Sequence, residues 1–558
     1  MKNQLEKILT LTLEACFEDG ELTRVPIPQF VVEVPKNPEH GHFASNLPMV
    51  LASLQKRPPR QIAEVLLERL EKEEPDLERV DIAGPGFLNF VFRPESWHRL
   101  LGGILARDSE YGRCDPGTGA RILLEYVSAN PTGPLHLGHG RGAALGDSLA
   151  RILSFCGHEI AREFYINDAG QQMRLLGESI YSRWRQKTDP EYPFPEKGYM
   201  GDYIEDLANA AGEAGIPEGG SEEEAVKACA EFGRKRMLEE IQGDLEAFRA
   251  RFDVWTSESD IVARGLVDET FDRTRDRGEL YEKEGAWWIR TTDFGDDKDR
   301  VIRKTDGQLT YFATDIAYHL DKWKRGFSKA VNIWGADHHG YVQRVRAALM
   351  ANGLEKDWLS VILIQLVKLW EHGEEVRMSK RAGTYVTLKE LMDEVGVDAA
   401  RFIFLMKNSD SPLDFDLDLA KKQDSDNPVY YVQYAHARIC SIFRKAAEEG
   451  VSLPNAPGEV MGLLRLEEEL GLIRFLERFP PLLQEMCASL EPHRLPYYLT
   501  ELAASFHKYF NLGTKMPEKR IVTQDIPLSQ ARLCLAHGVR IVLRNGLGLL
   551  GVHAPERM

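Results

Sequence analysis

Apolar residues recur at helical spacing through the first twenty positions, MKNQLEKILTLTLEACFEDG, then cluster in FVVEV (Phe30 to Val34) and alternate in GFLNFVF (Gly86 to Phe92). These patterns predict a helix and two strands, with further helices around Leu47 to Leu54 and Pro59 to Lys72. A turn-rich stretch, YGRCDPGTG, reads as a linker. The continuous apolar run RILLEYV (Arg121 to Val127) then predicts a buried strand. It leads through the loop SANPTGPLHLGHG into a helix that ends at Gly157. With the next strand, EIAREFYIND, this forms the opening of a parallel nucleotide-binding sheet.

From about Gln171 to Asp299 the chain is highly charged and mostly helical, which reads as an insertion between two halves of that sheet. The second half resumes with YFATDIAYHL, the strand AVNIWGADHHG, a helix through Met350 and a strand SVILIQLVKLW (Ser360 to Trp370). Beyond about Asp426 the pattern is helical to the end. The predicted architecture is multidomain α/β. A small α+β N-terminal domain covers 1–110, and a Rossmann-type parallel-sheet catalytic domain covers 118–425 with an insertion at about 171–299. An all-α C-terminal domain covers 426–558.

Composition fits several folded units: 558 residues, 43% hydrophobic and 28% charged. No apolar run approaches the roughly 18 residues of a membrane span. The N-terminus lacks the basic start and small-residue cleavage site of a signal peptide, so a cytoplasmic protein is expected. Seven cysteines, with no C-x-x-C pair, argue for scattered reduced thiols rather than a zinc site. The net charge of −17 disfavours nonspecific binding to a polyanion. The tail from Asp426 is nearly neutral, with fifteen Lys/Arg against fourteen Asp/Glu, so a local RNA-facing surface stays open.

Two clusters carry candidate chemistry. His136-Leu137-Gly138-His139 follows a buried strand at the mouth of a helix, where backbone N–H groups and the dipole suit phosphate and two imidazoles could donate to it. Gly138, Gly140 and Gly142 would let a ligand approach the backbone. A surface histidine pair or an H-x-x-H metal pair are the alternatives, the latter lacking an evident third ligand. Arg377-Met378-Ser379-Lys380-Arg381, followed by Ala382-Gly383-Thr384, fits a loop that closes a cation onto a triphosphate; the plainer reading is a solvated basic loop.

Together the clusters resemble the HIGH and KMSKS motifs of class I aminoacyl-tRNA synthetases. EYVSANPTGPLHLGHGRGAALGDSLARIL, YFATDIAYH, the tail opening NPVYYVQYAHARI and the ending APERM are similar to the arginyl-tRNA synthetases, as is the N-terminal HGHFASN loop. The chain departs from the pattern at Arg377 (Lys), Arg381 (Ser) and His42 (commonly Asp).

The resemblance implies ATP-dependent activation of L-arginine, as the Mg²⁺ complex of ATP, and its transfer to tRNA(Arg), by a monomer with no structural metal and no membrane partner. It implies His136, His139 and Lys380 as catalytic groups. Gly138, Gly335, Asp337, Met378 and Ser379 join them around ATP. Glu125, Ser128, Asn130, Glu258, Tyr311, Asp315 and Gln343 would bind arginine, and Tyr430, Tyr434, Arg438 and Met558 would contact tRNA. Arginine's planar five-donor guanidinium needs carboxylate acceptors, the role implied for Asp315 and Glu258 with Tyr311 packed beside them. Each has a plainer alternative: Tyr311 and Asp315 could be an incidental i, i+4 pair, Glu258 could only cap a helix, and GADHHG could be an ordinary strand-to-helix turn. Glu125 ends a buried strand and requires a cationic partner. Rival readings are a glutamyl, glutaminyl or cysteinyl synthetase, a nucleotidylyltransferase sharing H-x-G-H, and a catalytically dead RNA-binding paralogue.

Overall fold

A computed structural model describes residues 1–114, 119–218, 220–376 and 386–558. The chain packs into two compact units. The first gathers Met1–Tyr111, Arg438–Phe479 and Ala504–Val542; the second gathers Gly112–Ala437, Pro480–Ala503 and Leu543–Met558.

The second unit is built on a five-stranded parallel sheet. Its strands are β1 (Arg121–Glu125), β2 (Glu159–Ile166), β3 (Val254–Ser257), β4 (Lys329–Gly335) and β5 (Leu359–Ile364), in the order β5-β4-β1-β2-β3. Five helices matter here: α1 (Leu137–Phe155), α2 (Glu258–Ala263), α3 (Tyr311–Lys324), α4 (His339–Ala351) and α5 (Leu388–Phe404). The chain leaves β1 toward β2 on one side and later returns to β4 on the other. The C-terminal ends of β1 and β4 therefore flank a topological switch point, where open α/β sheets bind ligands. The buried side of α1 is made of small residues. A Cβ on Gly140 would come 2.7 Å from Leu388, and one on Gly146 would come 2.2 Å from the Tyr126 ring. Gly140 is thus a helix-packing glycine, contrary to the expectation that it opens the backbone to a ligand.

The span expected to be an insertion differs from that reading in one respect. Its helices Gln171–Gln186, Asp202–Glu213 and Glu222–Ala247 form their own apolar core around Leu176, Ile180, Ile204 and Cys229. Val254–Ser257, however, pairs with β2 as the edge of the main sheet. Four residues ending in Thr-Ser carry too little alternation to stand out in the sequence. The run Ser360 to Trp370 is likewise two strands: β5 stops at Ile364, and Val367–Glu371 joins a separate sheet with Glu374–Val376 and Leu413–Asp416. Between them Leu366 is 78% exposed, so the apolar run is not continuously buried.

In the first unit a four-stranded antiparallel sheet runs Val32–Glu33, Phe43–Ser45, Phe87–Phe92, Leu77–Ala83. The expected strand Phe30 to Val34 shrinks to two paired residues because Val31 and Val34 face solvent. His42 accepts from the Phe92 N–H at 3.0 Å, and its pKa falls to about 4 through burial and the Arg474 charge, so it is a neutral structural residue. Among the described residues no helix is long and apolar enough to cross a membrane.

Candidate active site

All the described residues that converge at the switch point belong to the second unit. His136 is the N-cap of α1, and the two histidines close a capping box: Gly138 N–H donates to His136 Nδ1 at 3.1 Å, and His136 N–H donates to His139 Nδ1 at 3.2 Å. The rings stack with centroids 3.8 Å apart. With both Nδ1 atoms accepting, the proton of each neutral imidazole sits on Nε2 and is a donor beside the helix N-terminus. This geometry suits phosphate oxygens better than a metal. Among the described residues no cluster of His, Cys, Asp and Glu could hold a metal ion. His136 also pairs with Thr387, and the Leu388 N–H donates to the Leu135 carbonyl at 2.8 Å. The chain that follows the M-S-K-R stretch is therefore anchored at this turn. Met378, Ser379 and Lys380 themselves lie outside the described residues.

Two consecutive residues after β1, Val127 (φ 68°) and Ser128 (φ 42°), adopt the left-handed conformation that side chains disfavour. The strain turns Ser128 back to donate to Glu125 Oε1 at 3.0 Å and to accept from the Tyr165 N–H at 3.1 Å. The cation required by Glu125 is Lys322, fully buried, with Nζ 2.5 Å from Glu125 Oε2 and 3.2 Å from Asn332 Oδ1. Parallel register places Asn332 of β4 beside Glu125. Asn332 Nδ2 bonds His319 Nε2 at 2.9 Å, and His319 Nδ1 bonds the Asp315 carbonyl at 2.7 Å. Burial first, then Lys322, lowers the His319 pKa to about 3, so the ring is neutral. Asp315, His319 and Lys322 are spaced four and three residues apart on one face of α3.

Asp315 and Glu258 face this network. Burial raises the Asp315 pKa to about 6, opposed by a hydrogen bond from the Tyr341 hydroxyl. Burial raises that of Glu258 to about 7, aided by Asp315 and Asp168. Ser257 supplies the cap of α2, accepting from the Asp260 N–H, so Glu258 is not the capping residue. Its carboxyl is buried, and no cation pairs with it among the described residues. Asp168, by contrast, pairs with Arg234 at 3.4 Å and accepts from Ser257 and Ser259. Burial first, then the charges of Glu258, Asp315, Glu125 and Asp168, push the pKa of the partly buried Tyr165 hydroxyl upward, so four carboxylates act on one ring.

The other expected residues are placed as follows. Asn130 is exposed and donates to Gln172 Oε1 at 2.8 Å; Gln172 in turn donates to Asn167. Tyr311 opens α3, is 70% exposed, and has its hydroxyl at Gly170 rather than on either carboxylate; the tyrosine that touches Asp315 is Tyr341. Gln343 is exposed and donates to the Gly295 carbonyl at 3.1 Å. Gly335 ends β4, where a Cβ would come 2.5 Å from Asp337 Oδ1, and the Asp337 side chain is exposed. Tyr430 and Tyr434 stack with centroids 6.1 Å apart, and Met558 is half-exposed. Arg438 belongs to the first unit, 2.8 Å from His507 and over the Phe510 ring.

The sheet, its switch point and the H-x-G-H turn define a class I tRNA-synthetase catalytic domain, and comparison with known proteins agrees. The family "tRNA synthetases class I (R), catalytic domain" matches residues 101–422, "Arginyl tRNA synthetase N terminal domain" matches 3–92, and "DALR anticodon binding domain" matches 432–558. The arginine–tRNA ligases of Desulfosudis oleivorans and Syntrophotalea carbinolica are each 48% identical, over the full length of both chains. The solved arginyl-tRNA synthetase of Thermus thermophilus superposes with a TM-score of 0.78 at 25% identity, covering all of each chain. The chain belongs to the arginyl-tRNA synthetase family.

Proposed function

We propose that the chain activates L-arginine with ATP and ligates it to tRNA(Arg). The observation that carries this reading is the pair Asp315 and Glu258: two desolvated carboxyls, each drawn up in pKa by burial, with Glu125 adding to the rise at Asp315 and Asp315 adding to that at Glu258. A guanidinium supplies the positive charge and forked donors that such a pair accepts. Tyr341 orients Asp315. Asn130 and Gln343 take the α-amino end, with Ser128 and Glu125 beside them at the end of β1 and Tyr311 at the rim.

ATP enters as its Mg²⁺ complex, so the metal is part of the substrate. Its phosphates lie on the N-terminus of α1 between the Nε2–H donors of His136 and His139, against Gly138. Gly335 and Asp337 meet the ribose. An arginine carboxylate oxygen attacks the α-phosphorus, the bond to the bridging oxygen breaks, and pyrophosphate departs with its charge stabilised by Lys380; Met378 and Ser379 are the other expected ATP contacts of that stretch. A hydroxyl of the terminal tRNA ribose then attacks the arginyl carbonyl and AMP leaves. Positioning and fixed electrostatics carry both steps.

The domain limits 1–110, 118–425 and 426–558 belong to this proposal. So do the tRNA contacts through Tyr430, Tyr434, Arg438 and Met558, a cytoplasmic location and a monomeric state. Aminoacylation of total tRNA with each of the twenty amino acids tests the function: arginine alone is expected to be charged, and preferential charging of another amino acid would overturn it.

A further inference from the structure

Three of the seven cysteines, distant in sequence, converge in the second unit. Cys156 is the C-cap of α1 and is buried; Cys114 precedes β1 and Cys487 sits in the helix Phe479–Ser489, both half-buried. Cys114 Sγ lies 2.7 Å from Cys156 Sγ, and Cys487 reaches the same thiol while approaching the Ile152 carbonyl at 3.9 Å. The first separation is only about 0.7 Å longer than a disulfide bond, so a small side-chain movement closes it. The other four cysteines, Cys16, Cys229, Cys440 and Cys534, are buried.

We propose that Cys114 and Cys156 form a peroxide-oxidisable thiol pair that closes to a reversible disulfide. Cys114, partly exposed, meets the oxidant first. Its thiolate attacks one peroxide oxygen, the O–O bond breaks, and a sulfenic acid forms with release of hydroxide. The Cys156 sulfur then attacks the sulfenic sulfur, its proton leaving with the displaced hydroxide as water. The sum is two thiols and one hydrogen peroxide giving one disulfide and two waters. Access sets the order of events, because Cys156 is a poor first target: its pKa lies at about 12, where the hydrogen bond from Cys114 lowers it but the bond from Cys487 and burial raise it more. The bond ties the C-terminal end of α1, the helix whose other end carries His136 and His139, to the segment entering β1.

The full-length chain is exposed to hydrogen peroxide, quenched, and its thiols are counted under denaturing conditions with a disulfide reagent, with peptide mapping by mass spectrometry without reduction. Seven thiols before treatment are expected to fall to five, with one peptide linking Cys114 to Cys156, and dithiothreitol is expected to restore seven. Under the same exposure Cys114→Ser should keep its six thiols, with an unchanged circular dichroism spectrum. Retention of seven thiols in the wild type would overturn the proposal. So would a disulfide between any other two cysteines, a loss that dithiothreitol does not reverse, or loss of two thiols from Cys114→Ser at the wild-type rate.

Discussion

Replacing Glu258 with glutamine separates a residue kept for a ligand from one kept for the fold. Glu258 is buried at the start of α2, and burial, then Asp315 and Asp168, raise its pKa from 4.5 to about 7. It therefore holds its proton more tightly folded than unfolded. The linked stability is fully present below pH 4.5 and is lost as pH rises through 7. At about 1.4 kcal/mol per tenfold change in proton affinity, the rise is worth about 3 kcal/mol by pH 8. Glutamine binds no proton and escapes that loss. Relative to wild type, Glu258→Gln should gain about 2–3 kcal/mol of stability between pH 5 and pH 8. Saturating arginine should abolish the difference, because the guanidinium restores to wild type what deprotonation removed. The same variant loses a charge-assisted contact, so its KM for arginine should rise on the order of a hundredfold. Thermal unfolding across that pH range, with and without arginine, and steady-state charging test both halves. A stability difference that does not change with pH, or an unaltered arginine KM, would refute the reasoning.

Other perturbations probe the surrounding network. Lys322→Met leaves the buried Glu125 without its cation and should cost about 3–5 kcal/mol in urea unfolding; adding Glu125→Gln should recover part of it. Tyr341→Phe removes the hydroxyl that lowers the Asp315 pKa, and should raise the arginine KM about tenfold with kcat nearly unchanged in pyrophosphate exchange. Lys380→Ala should slow single-turnover adenylate formation while leaving the arginine KM within a few-fold; formation at the wild-type rate would remove Lys380 from the catalytic groups. Calorimetry at pH 7 in buffers of different ionisation heat should show roughly half a proton released per arginine bound, since Glu258 is about half-protonated there.

Much of the site was legible because its signals are local. A buried strand, a glycine-rich turn and an amphipathic helix in succession identify β1, the H-x-G-H turn and α1 without tertiary information. Glu125 shows the power and the limit of such reasoning. A carboxylate ending a buried strand demands a cation, but which cation is a matter of packing, and Lys322 lies 197 residues away. A signal was present. From Asp315, steps of four and three along a helix reach His319 and Lys322, and Asn332 is a lone polar residue within the apolar run AVNIW. Tyr311 misled for the complementary reason. It shares the face of Asp315 by spacing, but it is the first residue of α3, where the chain has just emerged, and so stands in solvent. Tyr341 reaches Asp315 from α4, and no periodicity links the two helices. Val254–Ser257 escaped because four half-polar residues become a strand only when β2 offers them a partner.

The distribution of charge around Tyr165 explains how such a pocket can be selective. Four carboxylates gather there, and the chain supplies its own cations to two of them, Lys322 to Glu125 and Arg234 to Asp168. Glu258 and Asp315 are left to share protons or a ligand. A neutral side chain would leave the remaining pair desolvated and repelling, and an acidic one would add to the repulsion. A lysine ammonium carries the charge but is a compact point donor, less able to satisfy two carboxyls that arrive from different helices. A planar guanidinium presents donors along two edges and meets both at once. Selectivity on this account rests on cost as much as on attraction. If Glu258 and Asp315 hold the guanidinium as proposed, the pocket is destabilised without a forked cation, and the pH dependence expected of Glu258 is the trace by which that is measured.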